Sequence, residues 1–216
     1  MDIIKTWNDV SENIGFYTKE TSFNIPESPG IYAWFIPLWL YNDDVYELIK
    51  FVQDAMLYDS DIKQRNKPFQ GSSERESKID FNWDYIDIKL KKNHKLRSKG
   101  DIDRWATSDN NKEEYASISE SLMKASIFAK PIYIGRADSL SSRYSQHVSG
   151  TVEKNVFNTR FKEFTQESNV KLNVDDLLFA CIPISQKSNA VLKDRDLTTV
   201  LESILMNLVH PSFSCK

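Results

Sequence analysis

Three short, largely apolar runs that lie far apart in the chain constrain the fold most strongly. They occupy residues 31–36, 130–134 and 177–184, and they are rich in β-branched and aromatic residues. The turn segment 24–30 delivers the chain into the first run, and Pro37 ends it. Gly135 closes the second run, and the third is apolar enough to be buried on both faces. The sequence therefore predicts three strands drawn from distant parts of the chain.

Helical periodicity is found between and after these runs. Apolar residues recur at helical spacing over 45–56 and 115–125, and Asp138 or Ser139 can cap a helix that continues to about Val148. The last helix has the clearest pattern and ends before Pro211. Its apolar stripe consists of Leu197, Val200, Leu201, Ile204, Leu205 and Leu208. We predict an α+β fold with a small antiparallel-type three-stranded sheet flanked by helices.

The long segment between the first two strands sets the predicted domain organisation. Residues 59–111 are polar, with charge clusters and few aliphatic side chains. We predict an N-terminal helix and connection at 1–28, and a core formed by 29–37 together with 131–216. Between them, 38–130 would form a large, mainly helical or irregular inserted subdomain.

Composition narrows the class of protein. The chain has 216 residues, of which 40% are hydrophobic and 27% charged, so extensive disorder and a fibrous structure are excluded. No apolar run approaches the roughly 18 residues that span a bilayer, and the first ten residues do not resemble a signal peptide. Cys181 and Cys215 are too few for a disulfide framework or a zinc site. We expect a cytoplasmic protein with no membrane partner.

A set of polar residues accompanies the predicted strands and helices. Gly30-Ile31-Tyr32 and Tyr133-Ile134-Gly135 each place a tyrosine on a strand beside a glycine. If these strands pair, both phenols project from one face of the sheet. Arg143 and His147 lie four residues apart, so they share a helix face about 5–6 Å apart. Glu202 flanks the apolar stripe of the last helix, from which it can reach the sheet edge.

Each of these residues alone is typical of an ordinary structural position, but the ordered set resembles the GIY-YIG nuclease family. The resemblance covers 29–37 and 131–216, and Pro211 follows the glutamate as it does in that family. Two departures are evident. About a hundred residues separate Tyr32 from Tyr133, where the family usually has a short hairpin, and Ser214 stands where the family often has asparagine. A long surface insertion is thermodynamically tolerable, whereas a serine hydroxyl lacks the two functions of an amide.

The resemblance implies metal-dependent hydrolysis of DNA phosphodiester bonds, with Mg²⁺ as cofactor and Mn²⁺ as a possible substitute. Glu202 would be the metal ligand, and Arg143 would contact the phosphate. Tyr32 would accept a proton from the attacking water if nearby positive charge lowers its pKa. Tyr133 and His147 would orient water or phosphate, and His147 could also transfer protons.

A basic stretch at 89–99 is the second signal for a nucleic-acid partner. It contains six Lys or Arg residues and no acid, although the chain as a whole has 28 basic and 31 acidic residues. Such a stretch is either a solvated face or a DNA-backbone contact, and its place in the insertion favours the latter. The candidate DNA-binding residues are Lys89, Lys91, Lys92, Lys95, Arg97, Lys99 and, after the second tyrosine motif, Arg136.

These expectations combine into one functional prediction with two alternatives. We predict a stand-alone type II restriction-like enzyme that cuts double-stranded DNA at a short site. One candidate active site per chain suggests that a homodimer cuts the two strands. A repair, mobile-element or phage nuclease of looser specificity is the first alternative. A catalytically inactive DNA-binding module is the second, and Ser214 is the departure that motivates it.

Overall fold

The fold was derived from a computed structural model that describes residues 13–39, 45–58, 112–150, 156–184 and 194–214. Within these ranges there are four strands and five α-helices. The strands are β1 (Gly15–Tyr17), β2 (Gly30–Phe35), β3 (Tyr133–Ala137) and β4 (Leu178–Pro183). The helices are α1 (Val45–Leu57), α2 (Lys112–Ala125), α3 (Leu140–Ser149), α4 (Val156–Glu167) and α5 (Asp194–Val209).

The strands form one sheet in the order β1-β4-β2-β3, and all neighbouring strands are antiparallel. The α+β class is therefore confirmed, but the described sheet has four strands and not the three predicted. The additional strand is β1, where Phe16 lies opposite Ala180, in a region predicted to be a helix and a connection. A strand of three residues is too short to show a period-two pattern, so only its pairing with β4 identifies it.

The second predicted strand, 130–134, lies three residues further along the chain, because β3 continues through Gly135 instead of ending there. Gly135 pairs with Tyr32 across the sheet, and a Cβ atom at this glycine would lie 2.5 Å from the Tyr32 hydroxyl oxygen. Gly30 is similarly constrained, since its Cβ would overlap the carbonyl oxygen of Ile182 on β4. Both motif glycines are thus required by the close approach of neighbouring groups.

Helix α3 begins and ends close to the predicted positions, whereas α5 packs less completely than expected. Ser139 is the N-cap residue of α3, and Gly150 follows the helix with a φ of 63°. In α5, one side of the apolar stripe is partly buried and the other is exposed. The exposed residues are Val200, Ile204 and Leu208, at 49%, 49% and 74%.

An aromatic core lies between the sheet and the helices. Helix α4, which is not among the predicted helices, contributes Phe157, Phe161 and Phe164 at helical spacing. Helix α1 lies within the predicted insertion, and its Phe51 and Ala55 belong to the same core. The division into core and inserted subdomain stays a prediction. Among the described helices, none is both long and apolar enough to cross a membrane.

Candidate active site

Strand β2 lies between β4 and β3, and this central position buries its motif tyrosine. Tyr32 is 1% exposed, and its ring stacks 5.9 Å from the ring of Tyr133 and 5.4 Å from that of Phe179. Trp34, two residues further along β2, lies opposite both Tyr133 and Phe179. Because alternate residues of a strand share a face, the two motif tyrosines lie on the same side of the sheet.

The turn before β2 anchors the N-terminus of α3 and so positions the arginine and histidine of that helix. The Leu140 amide donates to the Ser28 carbonyl, and the Ser141 amide donates to the Pro26 carbonyl, both over 3.1 Å. The Ser142 amide donates to the Ser139 hydroxyl at 3.3 Å. These bonds use the amides that a helix N-terminus otherwise offers to an anion. Phosphate recognition at this end of α3 would therefore depend on side chains.

Tyr32, Tyr133, Arg143 and His147 form a group that we call the buried cluster. The Tyr32 hydroxyl lies 2.8 Å from His147 Nε2, and Arg143 Nε donates to the same hydroxyl oxygen at 3.1 Å. The ring centroids of Tyr133 and His147 are 5.4 Å apart. Since a guanidinium only donates, the hydroxyl proton of Tyr32 remains able to bond an unprotonated Nε2. Four of the five candidate catalytic residues are therefore in contact around one phenol.

Burial decides the ionisation of Tyr32. It raises the pKa of this phenol well above its usual value of 10.0, and the adjacent Tyr133 raises it further. Arg143 lowers the pKa through its charge and its hydrogen bond, but these effects are smaller than that of burial. The sequence analysis required nearby positive charge to lower the pKa of Tyr32. Among the described residues, the effect of Arg143 is too small to do so. Tyr32 is held as a neutral phenol at neutral pH.

Asn158 supports the buried cluster from α4, and no sequence motif pointed to it. Its side chain is 5% exposed, and its Nδ2 donates to the His147 carbonyl oxygen at 2.6 Å. This bond satisfies a carbonyl in the last turn of α3, which has no partner within the helix. The contact joins two helices across the turn at Gly150, so it depends on tertiary structure and has no local sequence signal.

An open depression of about 500 Å³ adjoins the buried cluster, and we call it the cleft. It is lined by Arg136, Ala137, Asp138, Ser139, Ser142, Arg143, Gln146 and Glu202. Arg143 belongs to both regions, because it lines the cleft and also donates to Tyr32. Its NH1 group donates to Gln146 at 3.1 Å, which fixes the guanidinium along α3.

Glu202 reaches the cleft from α5. That helix packs against β3 and β2, and Arg136 alternates along β3 onto the face opposite that of Tyr133. Arg136 Nε lies 3.2 Å from Glu202 Oε2, and the two side chains are 29% and 30% exposed. An ion pair this accessible to solvent contributes about 0–1 kcal/mol to stability. The contact is therefore easily exchanged for another partner.

The oxygen ligands of the cleft fit the metal that the resemblance implies. Within the described ranges there is no group of three or more His, Cys, Asp or Glu side chains that could hold a metal ion. Mg²⁺, however, commonly takes one or two carboxylates together with water and substrate phosphate. Glu202 is one such carboxylate, and Asp138, which the sequence indicated only as a candidate helix cap, lines the same cleft.

Ser214 occupies the position expected for the family asparagine, and it contacts the outer edge of β3. The Ile134 amide donates to the Ser214 hydroxyl at 3.3 Å, and that hydroxyl lies 3.5 Å from the Ile134 carbonyl oxygen. The Phe213 amide also donates to the Ile132 carbonyl at 2.9 Å. The C-terminal segment therefore holds the residues on both sides of Tyr133.

The predicted basic stretch at 89–99 lies outside the described residues, so only Arg136 of the candidate DNA contacts can be located. No family model, curated protein or solved structure matches the chain.

Proposed function

We propose that this protein is a metal-dependent DNA endonuclease that hydrolyses phosphodiester bonds. One observation carries the proposal: Arg143 joins the buried cluster around Tyr32 to the cleft that contains Glu202. These residues come from β2, α3 and α5. Such convergence of a phenol, an imidazole, a guanidinium and a carboxylate supplies the groups that phosphate-ester hydrolysis needs.

In the proposed reaction, Arg136 and Arg143 bind the phosphate in the cleft. A guanidinium presents a fixed fork of donors that matches two phosphate oxygens. The amides at the start of α3 are already bonded, which leaves the arginines as the principal anion-binding groups among the described lining residues. They would also stabilise the charge that develops on the phosphate during hydrolysis.

His147 and Tyr32 carry the proton. With Nε2 unprotonated, the Tyr32 hydroxyl passes its proton to His147 over the 2.8 Å bond as its oxygen takes a proton from the attacking water, so that no free phenolate has to form. Because Tyr32 is 1% exposed, the attacking water would need a local rearrangement to reach it. Tyr133, stacked on Tyr32, keeps the phenol ring in place.

Glu202 and Asp138 would hold Mg²⁺, with Mn²⁺ as a substitute. When bound, the metal would supply Lewis-acid stabilisation of the phosphate charge. The two carboxylates offer the hard oxygen ligands that this ion prefers.

Under this proposal, strands β2, β3 and β4 with helices α3 and α5 would form a GIY-YIG core, and β1 would extend its sheet. The restriction-like role is the simplest one for a nuclease core with one insertion, which would cut duplex DNA at a short site. Residues within 38–130, including the basic stretch, would supply DNA contacts, and two-fold pairing of chains would let both strands be cut.

A catalytically inactive DNA-binding module is the second candidate, and the state of Tyr32 favours it. The phenol is buried with a raised pKa, and the Glu202 carboxylate is paired with Arg136. Both features suit a protein that binds phosphate through arginines without hydrolysing it.

A digest of plasmid DNA in Mg²⁺ distinguishes these functions. Wild-type protein is compared with the Tyr32→Phe and Glu202→Ala variants, and EDTA serves as the metal-free control. Discrete fragments that only the wild type produces support the restriction-like enzyme. Smears or single-strand nicks indicate a nuclease of looser specificity. Binding without cleavage under any divalent metal indicates the inactive module, and cleavage that survives both substitutions contradicts the proposed site.

A further inference from the structure

The ion pair between Arg136 and Glu202 places a proposed phosphate ligand against a proposed metal ligand. Arg136 Nε and Glu202 Oε2 are 3.2 Å apart, and both side chains line the cleft. In this arrangement the carboxylate is neutralised by a cation of the protein itself. A divalent cation at Glu202 Oε2 competes with the guanidinium, and a phosphate at Arg136 Nε competes with the carboxylate.

The charges of the cleft make the two displacements interdependent. The lining contains the cations Arg136 and Arg143 and the anions Asp138 and Glu202, which cancel. A metal that takes Glu202 leaves Arg136 with an uncompensated positive charge, and a phosphate satisfies that charge. Conversely, a phosphate that takes Arg136 leaves Glu202 negative, which strengthens its attraction for a cation.

We propose that Arg136 is an internal counter-ion that substitutes for the metal at Glu202 and moves to the DNA phosphate when the metal binds. Metal binding and DNA binding are then coupled, each strengthening the other by the same factor. This inference rests on the proposed nuclease function, but it is tested by binding alone. Arg136 would make the protein bind metal and DNA together more tightly than it binds either ligand alone.

The test has two binding arms. In the first, calorimetric titration with Mn²⁺ compares wild type with Arg136→Gln, and Lys162→Gln serves as the control because Lys162 is an exposed α4 cation outside the cleft lining. We expect Arg136→Gln to bind Mn²⁺ about two- to fivefold more tightly than either, the range for release of a partly exposed ion pair.

In the second arm, fluorescence anisotropy with a short mixed-sequence duplex in EDTA compares Glu202→Gln with Asp138→Asn. Both substitutions remove one negative charge from the cleft, but only the first releases Arg136. We expect Glu202→Gln to tighten metal-free DNA binding about two- to fivefold more than Asp138→Asn does.

The inference is overturned if Arg136→Gln gains no Mn²⁺ affinity over the Lys162 control, if Glu202→Gln gains no more DNA affinity than Asp138→Asn, or if no variant binds Mn²⁺. Cleavage by wild type without either gain would overturn the counter-ion role and leave the nuclease proposal standing. If both affinity gains are found but neither wild type nor any variant cleaves DNA, the counter-ion role stands and the nuclease proposal is contradicted.

Discussion

The buried cluster and the cleft share Arg143, but different forces hold them. Tyr32 and His147 are each 1% exposed and are fixed by contacts between aromatic rings and a 2.8 Å hydrogen bond. Across the cleft, Arg136 and Glu202 are 29% and 30% exposed and are joined by one ion pair. Packing therefore specifies the position of the proposed proton-transfer groups, whereas charge specifies that of the proposed metal and phosphate ligands.

The two regions therefore tolerate different changes. A substitution in the buried cluster leaves a cavity or an unpaired polar group, so it affects folding as well as chemistry. A substitution in the cleft leaves solvent to replace the lost partner, so it affects binding with little change in stability.

Tyr32→Ala should have the largest effect on stability, and Glu202→Ala is the matching change in the cleft. Removing the buried ring should lower the free energy of unfolding by about 3–5 kcal/mol, as for other large aromatic side chains in cores. Removing Glu202 should change it by about 0–1 kcal/mol. Urea unfolding measures both, and equal losses would contradict the distinction between the regions.

Gly135→Ala is the next largest change, because it crowds the buried cluster without removing any group. The new Cβ would lie 2.5 Å from the Tyr32 hydroxyl oxygen, so the ring or β3 must shift. Overpacking of this kind typically costs about 1–3 kcal/mol. Thermal unfolding should show the loss, and the variant's near-ultraviolet circular dichroism should change with it. A stability equal to that of wild type would show that the cluster is loosely packed.

Alkaline pH should destabilise the buried side of the sheet. Burial raises the pKa of the Cys181 thiol from 9.0 to about 12, so the folded state favours the neutral thiol. That contribution is complete below pH 9 and is lost as the pH rises towards 12, because the unfolded chain ionises first. The raised pKa of Tyr32 acts in the same direction above pH 10.

The Cys181→Ala variant isolates the thiol contribution. Its free energy of unfolding should fall less steeply between pH 9 and 12 than that of wild type in denaturant titrations. Identical slopes for the two proteins would contradict the raised thiol pKa.

Asn158→Ala should lower stability less than Tyr32→Ala or Gly135→Ala does, by about 1 kcal/mol, because it removes the hydrogen bond to the His147 carbonyl. It leaves every cleft residue in place. We therefore expect reduced thermal stability with unchanged Mn²⁺ affinity. Weaker Mn²⁺ binding without a loss of stability would contradict this prediction and show that Asn158 influences the metal ligands in the cleft.

Local sequence patterns predicted much of the described fold and part of the candidate site. Strong β-propensity located β2 and β4, and the two candidate caps, Asp138 and Ser139, located the start of α3, where Ser139 is the N-cap residue. The short strand β1 carried too few residues for a periodic signal. Helix α4 did carry a readable signal in its phenylalanine spacing, so its omission was an error of interpretation and not a limit of the sequence.

The remaining features depend on contacts between distant residues. The bond from Asn158 to His147 and the ion pair from Arg136 to Glu202 exist only once the sheet and helices are assembled. The raised pKa of Tyr32 likewise follows from burial between β3 and β4, which no tripeptide motif encodes. Spacing could place Arg143 and His147 on one helix face, but it could not show that both bond the same phenol.

The central claim is that the buried cluster and the cleft act on the same phosphate. Single-turnover cleavage of duplex DNA in Mg²⁺ by Tyr32→Phe, by Glu202→Gln and by the double variant tests it most directly. Each single substitution should slow cleavage by about 10²–10⁴-fold, and the double variant should cleave at about the rate of the slower single one, because groups of one site fail together. Wild-type cleavage by either single variant, or losses that multiply in the double variant, would contradict the claim.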